Sequence, residues 1–206
     1  MIELYHCVDA RSFRALWALE EMGLDHRLHV IPFPPRIRQP DYLAINPLGT
    51  IPLLVDGATR MTESAAILEY LATRHGPTPL AVAPRENDYG AWLDWIHRGE
   101  ATLTFPQTLV LRYRRPEPEA RRLPQAADDY AQWFLSRLRS VTRALQDREW
   151  LCADRFTMAD ISVGYALMLA VTLDLDQKFS PEIAAYWARL SGRPGFASAK
   201  AAQRGE

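Results

Sequence analysis

From Asn46 to Ile67 the chain reads NPLGTIPLLVDGATRMTESAAI, and this stretch decides the fold. Asn46–Pro47–Leu48–Gly49 is a turn signal, because proline fixes one backbone angle and glycine adopts conformations closed to other residues. It leads into the apolar run Ile51–Val55. Asp56–Gly57 then supplies a two-residue hairpin turn before a second run, Ala58–Thr62, so two antiparallel strands are predicted. Glu63–His75 carries Ile67, Tyr70, Leu71 and Arg74 at helical intervals, and a helix closes the hairpin.

Toward the N-terminus, Ile2–Tyr5 is a short apolar run that predicts a strand, and Val8–Ser12 is a polar bend that opens a helix running to Gly23. Phe13, Leu16, Trp17 and Leu24 share one face of that helix. His26–Ile31 alternates apolar and polar residues as a second strand does, and Pro32, Pro34, Pro35 and Pro40 then predict an irregular loop. The first part of the chain thus has the order strand, helix, strand, strand, strand, helix.

Toward the C-terminus, Gly76–Pro77–Thr78–Pro79, running on to Pro84, is a linker, since prolines remove donors and restrict their predecessors. The expected division is a first domain over 1–76, a linker over 77–84 and a second domain over 85–206. Everything after the linker has helical periodicity. Tyr89, Trp92 and Ile96 share one helix, and Tyr130, Phe134, Leu138, Val141 and Leu145 share another at steps of three or four. Ile161–Leu173 is apolar nearly all round yet too short to span a bilayer, which predicts a helix buried in a bundle. Phe156–Thr157–Met158–Ala159–Asp160–Ile161 is a complete helix start, with Thr157 as cap and Asp160 reaching back.

Composition bounds the function. In 206 residues, 48% are hydrophobic and six are Trp, which excludes a disordered polar tail as the main content. Twenty-four Lys and Arg against 25 Asp and Glu leave a formal charge of -1, no field for holding phosphate backbones, so nucleic acid is not an expected partner. Met1–Ile2–Glu3 begins neither a basic region nor an apolar run, and no membrane partner is expected; the expected location is the cytoplasm. Cys7 and Cys152 are far apart and form no metal-ligand pattern, so neither a disulfide framework nor a metal site is expected.

Taken together and in order, Ala18–Leu19–Glu20–Glu21–Met22–Gly23–Leu24, Asn46–Pro47–Leu48–Gly49–Thr50–Ile51–Pro52, Met61–Thr62–Glu63–Ser64–Ala65–Ala66–Ile67 and the capping segment Phe156–Asp160 make the chain resemble the cytosolic glutathione transferase family, bacterial type, over residues 2 to about 200. The resemblance implies an α/β plus all-α architecture: an N-terminal thioredoxin-like domain of order βαβ-ββα that binds glutathione, followed by a C-terminal all-helical bundle for an apolar co-substrate. It also implies a homodimer, detoxification chemistry, and no cofactor beyond glutathione itself, used as co-substrate.

Site residues follow from the same resemblance. A cis peptide between Ile51 and Pro52, next to Thr50, would turn the Ile51 backbone outward to pair with the cysteinyl part of the tripeptide, whereas a trans proline would merely begin a strand. Glu63 and Ser64, at a helix mouth where free N–H groups and the dipole favour anions, would hold the gamma-glutamyl end, or simply begin the helix. The thiol reacts as thiolate, and lowering its pKa by about two units needs only ~3 kcal/mol, within reach of one or two charge-assisted hydrogen bonds. The serine used by many members falls on Asp9 or Ala10 and is absent. Arg11 and Ser12 are the expected catalytic pair, as charge and hydroxyl donor, against a plain reading as solvated side chain and cap. Tyr5 is the alternative donor and Cys7 a third choice.

In the helical part, Trp92, Trp95, His97, Phe105, Tyr113 and Trp133 are candidates to line the co-substrate pocket, with core packing as the other reading. Arg112–Arg115 is a basic patch, read as a solvated helix end or a ligand-facing group. The expected activity is thiolate attack on a small electrophile. The alternatives are a non-catalytic glutathione-binding or scaffold protein of the same fold, and a glutathione-dependent reductase or isomerase.

Overall fold

A computed structural model describes residues 1–205; Glu206, at the edge of the expected second domain, lies outside the described residues. Two compact units are present. One comprises Met1–Ala81 with the segment from Ser191 onward, and the other spans Val82–Leu190.

The first unit opens with β1 (Ile2–His6), α1 (Phe13–Met22) and β2 (His26–Val30). Alternation in β1 sends Ile2, Leu4 and His6 to the buried face and Glu3 and Tyr5 to the other. Gly23 ends α1 in the left-handed region at φ 62, where its N–H and that of Leu24 close the last turn onto Glu20 and Leu19. β3 (Leu53–Asp56) and β4 (Thr59–Met61) form the expected hairpin, and α4 (Ser64–Arg74) follows. The sheet order is β2-β1-β3-β4, with β1 parallel to β2 and antiparallel to β3. Leu4 faces Leu28 on one side and Leu54 on the other, which centres the core on β1. This is the thioredoxin-like arrangement.

Two expectations are corrected here. The proline-rich loop is not irregular throughout, for it holds two single helical turns, α2 (Pro35–Arg38) and α3 (Tyr42–Ile45). Proline at the first helical position has its backbone angle preset and no N–H to waste, so it starts a turn as readily as it forbids a strand. The second correction concerns α10 (Pro194–Ala202), which belongs to the first unit and not to a contiguous second domain. Phe196 meets the edges of Phe13 and Trp17 at ring-centroid distances of 5.3 and 5.0 Å. Arg193 grips both carboxylate oxygens of Glu21 at 2.7 and 2.8 Å. A Cβ on Gly195 would stand 2.6 Å from the Glu21 side chain, so α10 approaches α1 as closely as glycine alone permits.

The second unit is helical: α5 (Tyr89–Arg98), a π-helical segment (Gly99–Thr104), α6 (Phe105–Arg114), α7 (Pro124–Ala144), α8 (Met158–Thr172) and α9 (Pro181–Ser191), whose last residue belongs to the other unit. α8 is buried from Met158 to Ala170. Its expected cap is present: Thr157 Oγ1 accepts from the Ala159 N–H, and Asp160 Oδ2 accepts from the Thr157 N–H at 2.8 Å. The other Asp160 oxygen accepts from the Leu151 N–H and the Tyr186 hydroxyl, so one buried carboxylate joins α8 to α9 and the preceding loop. Among the described residues no helix is long and apolar enough to cross a membrane.

Candidate functional site

Sheet register brings three segments to one end of the first unit. Tyr5 lies opposite Leu53, so the chain leaving β1 toward Cys7 and the chain entering β3 from Ile51 sit at the same end. Leu54 lies opposite Met61, and β4 runs antiparallel to β3, so Thr62–Ser64 emerges there as well. These are the loop, the proline-bearing edge and the helix mouth picked out from the sequence.

The Ile51–Pro52 peptide is cis. Among the described residues no partner takes up the Ile51 backbone N–H or C=O, leaving both for an added strand. Thr50 is exposed, and its carbonyl accepts from the Tyr42 hydroxyl at 2.9 Å and Asn46 Nδ2 at 2.8 Å, which anchors the approach to Pro52. Gly49 makes that approach possible, at φ 60 with Arg36 Cβ 2.8 Å from where its own Cβ would be.

Glu63, exposed, is the N-cap residue of α4, and Ser64 is its first residue. Ser64 is buried, and its Oγ accepts from Nη1 of Arg14, itself wholly buried, at 3.1 Å. The guanidinium takes a lone pair and leaves the Ser64 hydrogen to donate. A buried cation beside a helix N-terminus, where N–H groups are unpaired, favours a carboxylate. Sequence reasoning missed Arg14. Its signal was available, a charged residue at a position between Phe13 and Ala15 on the buried side of a helix.

Around the bend after β1 the picture differs from expectation. Ser12 is wholly buried, and its Oγ lies 2.8 Å from His6 Nδ1 and 3.4 Å from the Cys7 carbonyl while accepting from the Cys7 N–H. Gln203 Nε2 donates to Asp9 Oδ1, so its Oε1 is the acceptor for the Asp9 N–H and for His6 Nε2. His6 therefore carries its hydrogen on Nε2, and Nδ1 accepts the Ser12 hydrogen. Burial lowers the His6 pKa to about 4, which keeps the ring neutral. The Ser12 hydroxyl expected to serve a thiolate is thus spent inside the protein. Burial also pushes the Cys7 thiol up to about 12, which removes it as a reactive group. Arg11 is half-buried at the same bend. Tyr5, on the opposite face of β1 from His6, stacks on His29 at 4.4 Å and tilts against Tyr42 at 5.6 Å. Asp9 sits at φ 55, and although burial opposes ionisation, bonds from Lys200 and Gln203 hold its carboxyl below the usual range.

In the second unit the expected aromatic set divides. Helical spacing places Trp92, Trp95 and Ile96 on the buried side of α5 and turns His97 outward. Trp92 and Trp95 are core residues. Phe105 and Trp133 are exposed, the latter under the Arg137 guanidinium at 4.8 Å. Tyr113 lines a groove of about 220 Å³ with Arg114, Arg122, Pro124, Ala127 and Asp128. The basic run serves structure: Arg112 pairs with Glu117, and Arg114 and Arg115 donate to the carbonyls of Leu173 and Thr172 at the end of α8.

The family model for the glutathione S-transferase N-terminal domain matches residues 10–74. Glutathione S-transferase GstA of Escherichia coli O157:H7 is 30% identical over 213 aligned positions that cover 98% of each chain. The chain belongs to the glutathione S-transferase family. Among solved structures, the bacterial glutathione S-transferase BphK, in a ternary complex, is 26% identical with a TM-score of 0.86, covering 98% of this chain and 99% of that one. A sphingomonad glutathione S-transferase complexed with glutathione shares the fold at a TM-score of 0.84 and 23% identity, covering 98% of each chain.

Proposed function

We propose that this chain is a glutathione transferase that binds reduced glutathione at the shared end of the first unit's sheet and promotes attack of its thiolate on a small apolar electrophile. The observation that carries this reading is the meeting, by strand register, of the open Ile51 edge and the Arg14-charged mouth of α4. The Ile51 backbone pairs with the cysteinyl part of the tripeptide. Ser64 and the first N–H groups of α4 take the gamma-glutamyl carboxylate, and Glu63 takes its ammonium. The sulfur then falls beside the bend from β1 into α1, where Arg11 supplies the charge that favours thiolate, with Tyr5 as the second donor. Ser12 stands behind them and holds the bend through its bonds to His6 and the Cys7 N–H. In the chemical step the thiol proton passes to solvent, the thiolate forms a carbon–sulfur bond, and the leaving group departs with its electron pair. Phe105, exposed, and Tyr113, half-buried, are the aromatic residues of the helical unit that we assign to the electrophile. The active form is a homodimer in the cytoplasm, which sedimentation of the purified protein tests.

Engagement of Ser12 and burial of Cys7 favour one rival, a glutathione-binding protein without turnover. Calorimetry with reduced glutathione, followed by rates with an aryl halide for the native chain, Arg11→Ala and Tyr5→Phe, separates the two. Binding with a rate that falls at least tenfold in Arg11→Ala supports the transferase. Binding without turnover supports the rival, and no heat at millimolar glutathione removes both.

A further inference from the structure

The bend that would meet the sulfur is not self-supporting. Three groups at and before it make four hydrogen bonds to α10 and its C-cap residue Gln203: the Asp9 N–H, the Asp9 carboxylate and the His6 ring bond Gln203, and the carboxylate also bonds Lys200 Nζ at 2.6 Å. Gln203 is nearly inaccessible at 3% exposure, and every polar atom of its side chain is used. The amide has a polarity, and that polarity propagates. Its N–H must face a carboxylate, which can only accept, so its oxygen faces two donors. The His6 hydrogen is thereby fixed on Nε2, Nδ1 becomes an acceptor, and Nδ1 holds the Ser12 hydroxyl at the entrance of α1.

We propose that Gln203 is a positioning residue for the catalytic bend: by dictating which His6 nitrogen bears hydrogen, and by clamping Asp9 in its left-handed conformation, it sets the placement of Arg11 between Asp9 and Ser12. α10 is a strap that orders the site. Lys200 is its second fastening and donates a charge-assisted hydrogen bond to Asp9 alone, whereas Gln203 also fixes the direction of the His6 bond. The groups facing His6 are Gln203 and Ser12, with the Asp9 carboxylate and Lys200 ammonium behind them. The placement of glutathione near this bend rests on the proposed function; the wiring of His6 does not.

The test uses the full chain with labelled histidine. Nitrogen spectra report which ring nitrogen of His6 bears hydrogen, hydrogen exchange reports the Asp9 amide, and ultraviolet titration reports the pKa of bound glutathione's thiol. The native protein is expected to show hydrogen on Nε2. In Gln203→Met that preference is lost, the Asp9 amide exchanges at least tenfold faster, and the bound thiol titrates about one unit higher, a tenfold loss of thiolate. Gln203→Glu places two carboxylates together and disrupts the bend. Adding Asp9→Asn restores a donor opposite an acceptor, so the double variant regains the Nε2 hydrogen and the slow Asp9 exchange. Rescue of this kind distinguishes direction from bulk, and it serves if Gln203→Met does not fold. Hydrogen on Nδ1 in the native protein, or all three readouts unmoved in Gln203→Met, or a double variant no better than Gln203→Glu, overturns the proposal. Should the native chain bind no glutathione, the proposed function falls, and the His6 and Asp9 signals alone decide for or against the strap.

Discussion

Arg14 and Ser64, fifty positions apart, meet through a 3.1 Å hydrogen bond with both side chains shut off from water. The contact couples the start of α1 to the start of α4. It also points the only hydrogen on Ser64 Oγ away from the guanidinium. Ser64→Ala is therefore expected to weaken glutathione binding about tenfold, the worth of one charge-assisted hydrogen bond, and to cost about 1 kcal/mol or more in stability because Arg14 Nη1 loses a buried acceptor. Calorimetry checks this, and unchanged affinity would take Ser64 out of the site.

Gly49 supports the proline edge from behind. A side chain there would face both the left-handed backbone at φ 60 and the Arg36 Cβ at 2.8 Å. Gly49→Ala should cost about 2 kcal/mol or more in urea unfolding. Because Thr50 follows directly, glutathione affinity should fall too, whereas Gly57→Ala, strained at φ 60 but with nothing within 4 Å, should cost stability alone.

His6 gives stability a pH dependence whose sign follows from its pKa of about 4 against an ordinary 6.5. The unfolded chain takes up a proton first as pH falls. The contribution is complete above 6.5 and is lost progressively toward 4. Relative to a His6→Asn variant, the native protein should lose about 2 kcal/mol between pH 7.5 and pH 5. Equal pH profiles for the two would contradict the buried neutral ring.

Asp160 works in the opposite sense. Burial raises its carboxyl to about 6 from 3.8, against four hydrogen bonds that lower it. The folded chain keeps this proton longer than the unfolded one, so the contribution is largest below 3.8 and declines as pH rises through 6. Compared with Asp160→Asn, the native protein should gain about 1 kcal/mol on going from pH 7.5 to pH 5. Asp160→Ala leaves the Thr157 and Leu151 N–H groups and the Tyr186 hydroxyl without an acceptor, and should cost about 3 kcal/mol or more at any pH.

What the sequence made legible was local. Asp56–Gly57 specified a hairpin, Gly23 a helix end and Thr157–Asp160 a helix start, because each is written within a few residues of the structure it causes. Helical periodicity likewise exposed the bundle. It did not reveal what each apolar face meets. Glu21 and Arg193 are 172 positions apart, and nothing near either announces the other, so the sequence alone groups α10 with its neighbours in the chain. The engagement of Ser12 is hidden in the sequence for a related reason. A serine before a helix looks like a free hydroxyl until the partner of its hydrogen is known, and that partner, His6, is itself fixed by Gln203. The clue lay in the alternation Ile2, Leu4, His6, which sends a polar ring into a core where it must find partners.

The first unit draws its residues from two stretches separated by the entire second unit. A ribosome moving along the message therefore begins the thioredoxin-like half early and completes it late. Until Phe196 is made, Phe13 and Trp17 have no aromatic edge to receive, and by then every residue of the helical half has been synthesised. The half that starts first is the one that must wait.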